Sequence, residues 1–257
     1  MRTTSNPAFR NLPRNFGNYA GFEQQQAGAG YDPYQQGSVA ARPMTIDDVV
    51  VKTAITLVVA LATGALTVAF QAWALALPAL IVGLVVSLII IFKRTPNAAL
   101  VLTYSAAEGI VLGAITGLFE NLYHGIAFQA IAGTFGVFAA MLIVYKTGAV
   151  RVTPRLTKWI IGATVGALIV MLANLVVGMF GVDLGVRSGG PLAIVFSLVV
   201  IGIAAFNLLL DFDQADRMIR AGMPAKWAWY AAFGLMTTLV WLYLEILRLL
   251  SYLQRSN

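Results

Sequence analysis

The chain reads as an all-α, polytopic membrane protein with seven transmembrane helices. Three observations lead there. Of its 257 residues, 59% are hydrophobic and only 11% are charged, against about 25% charged in a soluble domain. Seven apolar segments lie near 49–70, 73–92, 98–119, 126–145, 157–180, 191–211 and 228–252, each close to the about 20 residues that a spanning helix needs. Basic residues gather in alternate loops between these segments.

Residues 1–43 are rich in Asn, Gln, Gly, Ala and Pro and carry no apolar periodicity. They read as a disordered cytoplasmic tail, with residues 44–257 forming the membrane domain. Thr45, followed by Asp47 and Asp48, marks a helix start, because acids suit the first turn. No signal peptide is expected, since the first apolar run begins only near residue 49.

Lys93 and Arg94 follow the second span. Lys146, Arg151, Arg155 and Lys158 lie between the fourth and fifth, and Arg217, Arg220 and Lys226 between the sixth and seventh. The other loops carry His124, Arg187, Glu120 and Asp183. This asymmetry predicts a cytoplasmic N-terminus in the cell membrane. It also accounts for the net charge of +6 without a nucleic-acid partner; the bilayer is the expected one. Arg248 and Arg255 run against the pattern.

Gly109, Gly113 and Gly117 recur every fourth residue on the third span, as do Gly162 and Gly166 on the fifth. Such ridges let helices approach closely in lipid.

The chain has no Cys and one His. Disulfides, thiolate metal sites, Cys nucleophiles and any His pair are excluded. No Lys lies deep in the seventh span for a retinal Schiff base, His124 is in a loop away from any serine nucleophile, and no GxGD or phosphate-binding loop is present. An enzyme is not expected, nor a cofactor.

The polar residues inside spans are few, and ionisable groups at that depth face a protein interior or a water cavity. The sixth span ends in NLLLDFDQADRMI. Asp213–Arg217 and Asp216–Arg220 are i,i+4 acid–base pairs that serve each other locally. Asp211 has no such partner, and Asn207, one turn back, is placed to hydrogen-bond it. The stretch fails as an EF-hand loop, because positions 5, 6 and 12 from Asp211 are Ala215, Asp216 and Gly222. Glu245 lies in WLYLEILRLL, with Arg248 three residues on as a local partner. Glu108 precedes the glycine ridge and is expected to face a Ser or Tyr of another helix. Asn174 reads as interhelical glue.

LLLDFDQ at the end of the sixth span, a polar loop, and a last helix reading WLYLEILRLLSYL resemble the Bax inhibitor-1, or transmembrane Bax-inhibitor-motif, family, in a bacterial branch. The resemblance covers about residues 45–253. It implies a bundle with the last helix central, and a pH-sensitive calcium leak gated by two facing carboxylates. Asp211 matches one of them and Glu245, in LYLE, the other; the two would also hold calcium. Lys93 or Arg94 matches a basic residue that pairs with the acids, and Asn207, Glu108 and Arg248 are supporting residues. Two nearby carboxylates in low dielectric titrate as a unit, so a shared proton would hold Asp211 and Glu245 together and the pore shut.

The chain departs from the family pattern in three places. The second acid is Glu, an acid expected in the second span is missing and replaced by Glu108, and the stretch between the two acids is long. If the last helix began at Lys226, Glu245 would sit about 28 Å along it. The acids can meet only if Ala225–Gly234 stays at the membrane interface, which Trp227, Trp229 and Tyr230 favour. The alternative function is a non-transporting regulator of stress response or membrane proteolysis, working through membrane-protein partners.

Overall fold

Seven helices cross the molecule in a computed structural model that describes residues 42–181 and 185–255. They are α1 (Ile46–Ala69), α2 (Ala76–Lys93), α3 (Ala98–Leu122), α4 (Ile126–Thr147), α5 (Pro154–Met179), α6 (Pro191–Arg220) and α7 (Ala228–Arg255). Single 3₁₀ turns, Trp73–Leu75 and Ala225–Trp227, precede α2 and α7. All seven are long and apolar enough to cross a membrane, so the chain is a multi-pass membrane protein. The tail expected over 1–43 lies outside the described residues up to Ala41.

Local chemistry sets the helix ends. Thr45 caps α1 in a reciprocal capping box with Asp48. Asn97 and Thr153 cap α3 and α5 with their side chains, and Pro154 and Pro191 open α5 and α6 where a missing N–H costs nothing. Gly148 ends α4 at φ +67, which an L side chain resists. α6 runs nine residues past the expected end at Asp211, to Arg220. The last turns leave the apolar zone and are held by Arg217 Nε on Asp213 Oδ2 at 2.6 Å and Arg220 Nη2 on Asp216 Oδ2 at 2.5 Å. Both expected local pairs form.

The last helix is central. α7 packs against α1, α3, α4 and α6, while α2 packs mainly on α3 and α5 on α6. Leu235, Leu239, Leu242 and Leu247 of α7 are buried with Leu208 and Phe212 of α6 and Ile126 and Ala130 of α4. The α3 ridge is used: a Cβ on Gly109 would strike Ala60 and Thr63, one on Gly113 would strike the Gly64 backbone, and one on Gly117 would strike Trp73. The second ridge is not: Gly162 and Gly166 meet nothing within 4 Å, because α5 has few neighbours.

Residues 42–44, of which 42 and 43 were expected in the tail, are ordered against the α6–α7 turn. Met44 N–H donates to Met223 O at 2.7 Å and Ala225 N–H to Arg42 O at 2.9 Å. Met44 is buried, and Arg42 holds Asp48 through both carboxylate oxygens at 2.9 and 2.7 Å. Lys52 adds a 2.5 Å bond to Ala225 O and lies over the Trp229 ring.

Candidate functional site

Asp211 is the acid of α6 that reaches across to α7. Thr238 Oγ1 donates to Asp211 Oδ2 at 2.6 Å. Gly234, one turn earlier on α7, leaves room for the carboxylate: a Cβ there would stand 3.9 Å from Asp211 Oδ1. Through that gap Asp211 helps to line a cavity of about 380 Å³ bounded by α2, α3 and α7.

The second carboxylate on this cavity is Glu108 of α3. It also lies beside a glycine, since a Cβ on Gly83 of α2 would be 3.7 Å from Glu108 Oε1. Ser87, Tyr104, Thr237 and Thr238 add hydroxyls, and Leu80, Leu84, Ile91 and Phe233 make the apolar part of the wall. Tyr104 and Thr237 share a 3.3 Å hydrogen bond between α3 and α7, and the Tyr104 ring packs edge-on to Phe233 at 4.9 Å. Glu108 stands ten positions after Ala98 and Thr238 ten after Ala228, so both sit about 15 Å into their helices. Water-filled space at that depth is where intramembrane carboxylates find solvation.

Glu245 is not part of this site. It stands seven residues beyond Thr238 on a continuous helix, about 10 Å further along the axis. Asp211 bonds Thr238 instead, and Ala228–Gly234 forms the first turns of the same continuous helix, so the meeting of Asp211 and Glu245 that the resemblance implied does not occur. Glu245 is buried and bound instead by arginines. Arg248 Nη1 donates to its Oε1 at 2.7 Å, and Arg187 Nη2, from the α5–α6 connection, approaches the same atom at 3.4 Å. The Arg248 partnership follows from the i,i+3 spacing; Arg187 is a partner that no local spacing reveals.

Other expected partners are also replaced. Asn207 does not bond Asp211. Its Nδ2 donates to Thr164 Oγ1 of α5 at 2.8 Å and to Ile203 O at 2.9 Å, which ties α5 to α6. Lys93 and Arg94 are exposed at the end of α2 and take no part in the ion pairs among the described residues. Asn174, expected to join helices, has its Oδ1 buried without a partner. His124 lies in the α3–α4 turn, as expected.

Thr237 and Thr238 count among the few polar residues inside the spans by sequence alone, but the pairing of Thr238 with Asp211 and the role of Gly234 were not foreseen. Their signal is spacing on α7: Thr237 and Thr238 follow Gly234 by three and four residues, one turn on, in an otherwise largely apolar stretch.

Two carboxylates do not make a closed metal site. Among the described residues, no group of three or more His, Asp or Glu side chains stands together. Calcium takes six to eight oxygens, so an ion at Asp211 or Glu108 would complete its shell with hydroxyls and water.

None of the curated proteins compared with the chain matches it. A family model described as Bax inhibitor 1 like matches residues 6–255. That range takes in all seven helices, both cavity carboxylates and the WLYLEILRLL stretch of α7, and the chain belongs to the Bax inhibitor 1-like family.

Proposed function

We propose that the protein is a passive cation leak, with calcium as the transported ion, in which Asp211 and Glu108 form the cation-binding and proton-sensing site. The observation that carries this reading is the convergence of these two carboxylates, from α6 and α3, on one cavity at membrane depth. An acid in a spanning helix that is not locally paired is costly unless it is used, and neither has an arginine or lysine partner among the described ion pairs. The arrangement replaces the Asp211–Glu245 pair: the acid on α3 takes the place of the acid on the last helix.

Protons and calcium compete for the same oxygens. At acidic pH the protonated carboxylates attract no cation and the leak is shut; as pH rises they ionise and the ion enters. Weak coordination suits conduction, because an ion must leave as easily as it arrives. The basic end of the bundle, carrying Lys93, Arg94, Lys146, Arg151, Arg217 and Arg220, faces the cytoplasm of a cell with this protein in its plasma membrane. The test is calcium flux into liposomes containing only this protein, from about pH 5 to about pH 8, the range over which carboxylates and protons compete in proteins. Absence of flux at every pH overturns the reading, and a pH profile unchanged in both Asp211→Asn and Glu108→Gln overturns the site.

A further inference from the structure

At the opposite end of the bundle, an arginine is only partly used. Arg187 belongs to the connection between α5 and α6, and its side chain is 27% exposed. Among the described residues its one ion pair is the 3.4 Å approach to Glu245 Oε1, an oxygen that Arg248 already holds at 2.7 Å. Among the described residues, two guanidiniums therefore face one carboxylate. Arg187 Nε is buried without a hydrogen-bond partner. Burial pushes the Arg187 pKa down, with the charge of Arg248 acting in the same direction and Glu245 opposing both.

Arg187 also lines a cavity of about 260 Å³ whose remaining wall is α5, including Met171, Leu172, Asn174 and Leu175. Asn174 Oδ1 on that wall is another buried polar atom without a partner, as are Glu245 Oε2 and Thr53 Oγ1 elsewhere. Two residues that each hold a buried polar atom without a partner thus line one cavity, and unmade bonds of this kind are costly. Water there would leave the excess positive charge in place. A phosphate group offsets the charge and meets the orphan donor, because its oxygens accept from the Nε edge of a guanidinium in the paired geometry that arginine favours. The Asn174 amide bonds the same group only through its N–H₂, turned by 180° from the orientation that leaves Oδ1 without a donor.

The surroundings suit a lipid. Asn174 stands five residues before the end of α5 at Met179, about 7 Å inside the helix end, which is the depth at which headgroup meets hydrocarbon. Leu168, Leu172 and Leu175 are 47%, 59% and 64% exposed, so α5 presents an uncovered apolar face leading away from the cavity. We propose that the cavity between Arg187 and Asn174 binds the phosphate group of an anionic phospholipid whose acyl chains lie along α5. The ligand chemistry is a phosphate anion, and the lipid headgroup and free phosphate are its two sources.

The test is native mass spectrometry of the detergent-purified full chain, titrated with phosphatidylglycerol. One saturable lipid is expected. Arg187→Gln weakens it by about tenfold or more, the loss of a charge-assisted contact, while Arg155→Gln, at the exposed other end of α5, leaves it unchanged. Asn174→Asp keeps the shape of the side chain and sets a carboxylate beside Arg187; it abolishes lipid binding while raising thermal stability. Competition by millimolar inorganic phosphate shows that the anion alone suffices, and lack of competition shows that the acyl chains are required. The proposal is overturned by the absence of saturable binding, by equal binding of uncharged diacylglycerol, or by wild-type affinity in Arg187→Gln. If Arg187→Gln does not fold, unchanged affinity in Asn174→Asp overturns it alone.

Discussion

Thr238 donates a 2.6 Å hydrogen bond to Asp211, and this bond joins the two longest helices, α6 and α7, in the middle of the membrane domain. It orients the carboxylate beside Gly234 and leaves Oδ1 available to the cavity. Thr238→Val keeps the volume and removes the donor. The variant is expected to lose about 1–3 kcal/mol of stability, measured as a lowered unfolding temperature in detergent, and to shift the pH at which flux begins.

The cavity acids should behave as one unit. Asp211→Asn and Glu108→Gln each remove a charge and keep the shape, so each should flatten the pH dependence of calcium flux. If the two acids act together, the double variant is no worse than either single one. Glu245→Gln should leave the pH profile intact, since Glu245 lies about 10 Å along α7 from Thr238. Its cost should appear in stability, about 1–3 kcal/mol, because Arg248 and Arg187 lose their shared anion. A flattened profile in Glu245→Gln with normal profiles in the other two would return the gate to the last helix.

The two glycine ridges should respond oppositely. Gly113→Ala sets a Cβ against the Gly64 backbone, 2.5 Å from its carbonyl oxygen, and backbone cannot move aside as a side chain can. A loss of about 1–3 kcal/mol is expected. Gly166→Ala meets nothing within 4 Å, so lower chain entropy and better helix propensity make it neutral or stabilising by up to about 1 kcal/mol. Thermal unfolding of the two variants side by side decides this.

Deleting residues 1–40 is expected to leave membrane insertion and flux intact, because that composition cannot bury a core. Deleting 1–45 is different. It removes Met44, which is 2% exposed, the two backbone bonds to the α6–α7 turn, and the Thr45 cap of α1. The cap alone is worth about 1 kcal/mol, so the longer deletion should lower the unfolding temperature and the shorter one should not.

Orientation can be read by cysteine labelling, since the chain has no native Cys. Ser188 is exposed in the α5–α6 connection. Ser188→Cys should react with an impermeant reagent only from outside the cell, and Arg151→Cys only from inside. Reaction of Ser188→Cys from the cytoplasmic side alone would invert the proposed topology.

Composition and short-range spacing determined the number of spans, the class of fold and the local ion pairs. Seven apolar runs of sufficient length leave a chain in lipid no alternative to helix, because every backbone group must be satisfied within its own segment. Asp213–Arg217, Asp216–Arg220 and Glu245–Arg248 follow from helical periodicity alone. Tertiary structure alone decided which faces meet. Lipid tails are as apolar as a helix interior, so hydrophobicity does not tell the inward face of a span from its outward face. That is why Asn207 turns to Thr164 rather than Asp211, why one glycine ridge packs and the other stands open, and why Asp211 shares a cavity with Glu108 while Glu245 is held by Arg187 from the far connection.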